Sequence, residues 1–260
     1  MYRNKWYIGL LFILTLAIVA CQPKETIIVV TATPAPTELP TATSIPTVIP
    51  TATIEPTPTP EGLIFYDGFE KELQPGWDVE NEDTLKWAFT NDGWLKIVAG
   101  DDCLLSSTFQ KNLFLQYAPE GNFVIETRMK ADADTNFQQA SIYIIEDTDN
   151  YFTINRGYCL PCKPNGAGIY SDYAYKGEWG SFSGRAYSDE QVYLRISVNR
   201  DRKEIIAYYS ADGEKWTQLR KIPMSINVNQ IGLGTSNCDS ENIDDNLVAE
   251  FDYFKVSVLE

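Results

Sequence analysis

The chain holds 36 acidic and 21 basic residues and no histidine, a formal net charge of −15 over 260 residues. Carboxylates, cysteines and aromatic rings are therefore the groups left to do chemistry. Without an imidazole there is no base for Ser-His-Asp or Cys-His nucleophilic catalysis. Every His-containing zinc or non-haem iron site is excluded for the same reason. The acidic balance also excludes a nucleic-acid partner, which needs a basic footprint. Carboxylate-pair hydrolysis, an all-cysteine metal site and aromatic ligand stacking remain.

The densest aromatic run is Tyr170-Ser-Asp-Tyr173-Ala-Tyr175-Lys-Gly-Glu-Trp179-Gly-Ser-Phe182. Tyr173 and Tyr175 share one strand face, and Trp179 follows in a glycine-flanked loop. Flat rings stack on the C–H face of a sugar while phenol and indole add hydrogen bonds. Asp172 and Glu178 are placed to accept sugar hydroxyls. The competing reading is that these rings cover the edge of the core. A second candidate follows from strand parity, which puts Glu126, Arg128, Tyr143, Tyr193 and Arg195 on the face away from the core. If 122–130 and 192–199 lie in a concave sheet, these residues line its groove, and Glu126 and Arg195 form an ion pair or hold a polar ligand. A merely solvated charged face is the alternative. Trp77, Trp87, Trp94 and Trp216 are assigned to core or hairpin packing.

Acidic clusters occur at Asp132-Ala-Asp134, Glu146-Asp-Thr-Asp149-Asn150 and Asp239-Ser-Glu241-Asn-Ile-Asp244-Asp245. None has the twelve-residue spacing of an EF-hand, but calcium accepts irregular oxygen ligands. Asp67 and Asp252 lie in mirrored Phe/Tyr contexts near the two ends of the domain, as if to approach each other. Solubilising charge accounts for these clusters, with a structural calcium as the alternative cofactor reading. Hydrolysis of a glycosidic bond needs two carboxyls about 5 to 9.5 Å apart. No run supplies such a pair, so no catalytic residue is assigned.

Four cysteines, Cys103, Cys159, Cys162 and Cys238, fall in the domain. An even number in an exported domain reads as two disulfides. The expected pairing is Cys159–Cys162 and Cys103–Cys238. A four-thiolate zinc site and a redox-active CxxC are the alternatives.

These groups must be positioned by strands. Phe123-Val-Ile-Glu-Thr-Arg-Met129 and Val192-Tyr-Leu-Arg-Ile-Ser-Val198 alternate apolar and polar, and 248–258 reads as a long final strand. Further strands are predicted at 63–66, 84–89, 94–98, 104–108, 139–146, 151–156, 167–175, 203–210 and 229–235. No stretch shows a 3.6-residue apolar period. Many short strands at roughly ten-residue spacing imply an all-β sandwich or barrel. Ser210-Ala-Asp-Gly213 is a hairpin signal, with Trp216 opening the return strand.

Several of these segments resemble a known family. They are Phe65-Tyr-Asp67-Gly-Phe69 with Gly76-Trp77, Trp94-Leu-Lys-Ile97, Phe123-Val-Ile-Glu-Thr127, Asn150-Tyr151, Ser210-x-Asp-Gly-x-x-Trp216, Ile231-Gly-Leu233 and Phe251-Asp252-Tyr-Phe-Lys-Val256. Their order over 63–258 is similar to concanavalin A-like jelly-roll domains, and to the DUF1349 family that also forms the C-terminal domain of some β-xylosidases. The resemblance implies a jelly-roll β-sandwich of two antiparallel sheets, one convex and one concave, with terminal strands side by side. It implies a non-catalytic module that binds a glycan or cell-surface polysaccharide. A structural or protein-binding surface module and a carboxylate-based hydrolase or lyase are the alternatives.

The first 60 residues are read as address and tether. Arg3 and Lys5 precede the apolar run Trp6–Ala20, which is short of the about 20 residues a membrane span needs. Leu16-Ala-Ile-Val-Ala-Cys21 resembles the lipobox of bacterial lipoproteins. The resemblance implies a signal peptide over 1–20, a lipid on Cys21 and a membrane-anchored lipoprotein at the cell surface. Residues 22–60 hold nine prolines and eleven threonines, and TATxxPT recurs at 31, 41 and 51. Such a segment cannot pack a core and extends as a spacer, to roughly 100 Å at about 3.1 Å per residue. The β domain is then 61–260, with 18 basic and 33 acidic residues.

Overall fold

A computed structural model describes residues 61–100, 103, 110–180, 182–238 and 246–260. The strands are β1 (Leu63–Asp67), β2 (Asp78–Glu80), β3 (Trp87–Phe89), β4 (Leu95–Ala99), β5 (Leu113–Tyr117), β6 (Phe123–Ala131), β7 (Gln138–Asp147) and β8 (Asn150–Cys159). They continue with β9 (Gly166–Tyr175), β10 (Glu178–Trp179), β11 (Ser183–Ala186), β12 (Gln191–Asn199), β13 (Glu204–Ser210), β14 (Thr217–Pro223), β15 (Gln230–Asn237) and β16 (Leu247–Val258). No helix occurs among the described residues.

The strands form two antiparallel sheets. The first runs β14-β13-β12-β6-β16-β4-β3, with β1 on β16. The second runs β10-β9-β8-β7-β15-β5-β2, with β11 on β9. Side chains alternate between faces along a strand, so each sheet has one face for the core. Phe123, Ile125, Met129, Leu194 and Ile196 of the first sheet join Ile142, Ile144, Phe152, Ile154 and Leu233 of the second in one buried cluster. Each such side chain stabilises the fold by about 1.5–3 kcal/mol. The pairing of β1 with β16 brings the domain's two ends together, as the jelly-roll resemblance implied.

Most predicted strands lie within a residue or so of observed ones. The segment 84–89 shrinks to β3, because Leu85 is 92 % exposed and its amide is held in a turn by the Asp83 carboxylate. The strand predicted at 104–108 lies outside the described residues. β5 was not predicted: Leu113–Gln116 are all buried, so it shows no alternation to read. At the Asp-Gly hairpin, Gly213 has φ +78°, a backbone region costly for other residues. The Asp212 carboxylate accepts the amides of Lys215 and Glu214 and the Ser210 hydroxyl, which hold its acid at about 2.

Both expected disulfides, Cys103–Cys238 and Cys159–Cys162, are present, so neither a thiolate zinc site nor a dithiol is the arrangement found. Asp67 and Asp252 do not converge. Asp67 faces inward and accepts the Phe69 and Gln74 amides and the Trp77 indole N–H, each at 2.8 Å. Asp252 faces outward and pairs with Arg128 at 2.9 Å. Among the described residues no group of three Asp, Glu or Cys side chains converges as a metal site. The acidic cluster 239–245 lies outside them.

Candidate functional site

The two sheets present two outer faces, and the sequence candidates divide between them. On the first sheet, Arg195 of β12 stands directly across from Glu126 of β6. The Arg195 Nε donates to Glu126 Oε2 at 2.9 Å and its Nη2 reaches the same oxygen. The Tyr253 hydroxyl and the Lys255 ammonium each donate to Glu126 Oε1 at 2.8 Å. Burial alone would raise the Glu126 acid, but these donors bring it below the ordinary glutamate value. Around this hub, Arg128 pairs with Asp252 and lies over the Trp94 ring, and Lys130 pairs with Glu250. The Arg195 guanidinium lies 3.6 Å from the centroid of Trp216. Tyr193 covers Gly213 of the hairpin. The charged groups of this face pair among themselves, although the Arg128 Nε makes no hydrogen bond.

On the second sheet, the residues between the core positions of β7, β8 and β9 form two cross-strand rows. One row is Tyr143–Thr153–Asp172 and the other is Ser141–Asn155–Tyr170. The Asn155 amide donates to Asp172 Oδ2 at 3.0 Å. Burial pushes the Asp172 acid up to about 6, against the opposing pull of that hydrogen bond and of the Arg220 charge. The Ser141 and Thr153 hydroxyls are buried without a hydrogen-bond partner among the described residues. Buried polar groups normally have partners; atoms of Gln110, Asn112, Gln116, Ser171 and Thr235 are in the same state elsewhere, so it is the position of these two on this floor, beside Asp172, that bears on a ligand.

Aromatic rings stand around that floor. Trp179 of β10 pairs with Ala174 of β9 and so projects on the same face. It is 57 % exposed and meets the Tyr151 ring edge-on at 6.2 Å. Tyr170 stacks on Phe182 at 5.3 Å. A Cβ at Gly184 would lie 2.5 Å from the Tyr170 ring, so glycine is what allows that ring to lie flat there. Trp179, Tyr170 and Phe182 line a cavity of about 560 Å³, with Asn155, Asp172 and Gln139 also lining it. That is a volume typical of small-ligand sites. Both disulfides reach its wall: Cys103–Cys238 and Cys159–Cys162 are all lining residues.

The sequence reading therefore needs three corrections of placement. Tyr143 does not share a face with Glu126, Arg128, Tyr193 and Arg195, because parity within a strand does not say which sheet the strand joins. The cavity lies on the second sheet, so β6 and β12 do not line it. Tyr173 and Tyr175 do share a strand face and stack at 6.4 Å, but that face is the core side of β9, opposite Asp172. Tyr173 packs against the core and reaches the cavity wall, while Tyr175 stays at the sheet edge. Asp172 and Trp179 are brought together as expected. Thr153, Asn155, Ser141 and Tyr151 were missed; the alternation of polar and apolar residues in β7 and β8 was the signal for them. Trp77 and Trp87 pack against the core as assigned, whereas Trp94 lies outside it under two cations.

Two antiparallel sheets, a shared core and adjacent terminal strands define a concanavalin A-like jelly roll. The family model for the β-xylosidase C-terminal concanavalin A-like domain matches residues 66–257, and the chain belongs to that family. Among solved structures, the GH43 protein BlXynB from Bacillus licheniformis is similar, with TM-score 0.65 and 18 % identity over 75 % of this chain. A xylan β-1,4-xylosidase from Bacillus halodurans matches with TM-score 0.62 and 18 % identity over 81 % of this chain. The match covers only 39 % and 41 % of those two proteins' own length. The β-glucanase of Bacillus licheniformis aligns over 98 % of its length and 75 % of this chain, with TM-score 0.52 and 11 % identity. At these identities the likeness is one of fold. A search of curated protein sequences found no match.

Proposed function

We propose that this protein is a non-catalytic glycan-binding module carried at the bacterial cell surface as a lipoprotein. The observation that carries the reading is the cavity on the outer face of the second sheet. It combines an exposed indole and stacked rings with the polar groups of Asn155, Gln139 and Asp172. Rings supply stacking area, and fixed polar groups supply orientation. Binding without hydrolysis is the better reading, because Asp172 is the one carboxylate among the cavity's described lining residues. Glycosidases of the paired-carboxylate kind need two. The tether belongs to the same proposal: a signal peptide over 1–20, a lipid on Cys21 and an extended Thr/Pro spacer to residue 60. The domain's excess of carboxylates repels anionic headgroups, so attachment rests on the lipid.

Calorimetric titration of the protein with plant and bacterial polysaccharides tests the binding reading. Saturable binding that weakens at least tenfold in Trp179→Ala, with no release of reducing sugar, is expected. Absence of binding to the whole panel, or turnover, overturns it. Metabolic labelling with a fatty acid, lost in Cys21→Ala, tests the anchor.

A further inference from the structure

The cavity's charge is one-sided. Among its described lining residues only Asp172 carries charge at neutral pH; the others are aromatic, amide, cystine, proline or glycine. Arg220, the cation that acts on Asp172, lies behind β9 on the core side. Its Nη1 donates to the Ser171 carbonyl at 3.1 Å, and its guanidinium lies 5.9 Å from the Tyr173 ring centroid.

A uronic-acid sugar entering this cavity would lose water from its carboxylate and gain no cation from the described wall. It would also face the Asp172 carboxylate across a desolvated space. An uncharged saccharide meets the opposite situation. An ionised carboxylate only accepts hydrogen bonds, and sugar hydroxyls donate them. Asn155 occupies Asp172 Oδ2, and Oδ1 accepts no hydrogen bond from the described residues. We propose that the cavity selects uncharged saccharides and turns away uronic-acid-bearing ones, with Asp172 as the specificity-determining residue. This rests on the glycan-binding reading above.

The groups around Asp172 are Asn155, Thr153 and Tyr151 of β8, Trp179 of β10, and Arg220 of β14 behind the strand. Tyr151 is held neutral by burial, which raises its phenol, and Arg220 stays charged, so among these described groups Asp172 is the one that titrates between pH 4 and pH 8. Uronic acids ionise in the ordinary carboxylate range and remain charged at pH 5. Selectivity should therefore weaken as the pH falls through about 6, where Asp172 takes up a proton.

The test uses matched pairs titrated into the full-length protein. One set is cello- and laminari-oligosaccharides against the same chains oxidised at C6. The other is xylo-oligosaccharides with and without glucuronic acid branches. The neutral member of a binding pair should bind at least tenfold tighter at pH 7.5. That ratio should shrink at least threefold at pH 5, and in Asp172→Asn at pH 7.5. Asp172→Ser serves if the asparagine variant fails to fold. Equal affinities within a pair, or a ratio unchanged in both variants, overturn the selectivity while leaving glycan binding intact. Failure of every pair to bind overturns the glycan reading and this inference with it.

Discussion

The outer faces of the two sheets use the same alternation of strand residues and settle their polar groups in opposite ways. On the first sheet, Glu126 is enclosed by Arg195, Lys255 and Tyr253, and Arg128 and Lys130 have Asp252 and Glu250. On the second sheet, Ser141 and Thr153 are buried without partners and burial holds Asp172 at a raised pKa. A face whose charges answer one another leaves little for a ligand to satisfy. A face with orphaned donors and acceptors beside exposed rings has that capacity unspent. The lesson is that charge density is a poor guide to a site, and unpaired burial is a better one.

The largest effect expected is structural. Cys103→Ser with Cys238→Ser removes a bond between residues 135 apart, and should lower unfolding free energy by about 4 kcal/mol. Cys159→Ser with Cys162→Ser opens a loop of sequence separation 3 and should cost less than half of that. Equal losses in urea melts would contradict the chain-entropy argument.

Glu126→Ala comes next, at about 3 kcal/mol, because it strands two cations that now share one carboxylate. Saccharide affinity should not change. The folded-state acid lies below its unfolded value, so this stabilisation is present above pH ~4.3 and is lost as pH falls through the lower folded value. The variant should lack that part of the pH profile in acid titrations of stability.

Trp179→Ala and Trp216→Ala form a matched pair, one indole on each face. The first should weaken saccharide binding at least tenfold, about 1.4 kcal/mol, with little change in melting. The second should leave binding intact and cost about 1 kcal/mol of stability through the lost Arg195 stack.

Asp172→Asn has a small expected effect on stability, of the opposite sign to Glu126→Ala. A carboxyl whose folded pKa is raised to about 6 resists ionising in the fold. Its stability is full below the ordinary aspartate value and falls as pH rises through about 6. The variant should therefore be more stable than wild type by about 1 kcal/mol at pH 7, and equal to it below pH ~3.5. Lower stability at pH 7 would mean that Asp172 is paired, like Glu126.

Much of the fold was legible in the sequence because period-2 alternation survives wherever a strand has one wet face, as in 123–129 and 192–198. It fails for Leu113–Gln116 of β5, buried on both sides. The ion pair of Glu126 and Arg195 was legible from parity alone. The cavity was only half legible. Asp172 and Trp179 stood out within an aromatic run, but Thr153, Asn155 and Ser141 are ordinary polar residues in ordinary strands. What makes them a floor is the order of β9, β8 and β7 in one sheet, a long-range pairing that local spacing does not encode. The same ignorance of sheet membership put Tyr143 beside Glu126.

Amide and indole N–H shift mapping during titration with a bound neutral oligosaccharide asks directly which face the ligand meets. The perturbed signals should cluster at Thr153, Asn155, Asp172 and the Trp179 indole, with Glu126, Arg195, Trp94 and Trp216 unmoved. Perturbations centred on Glu126, Arg195 and Trp216 instead would place the binding surface on the first sheet and contradict the assignment.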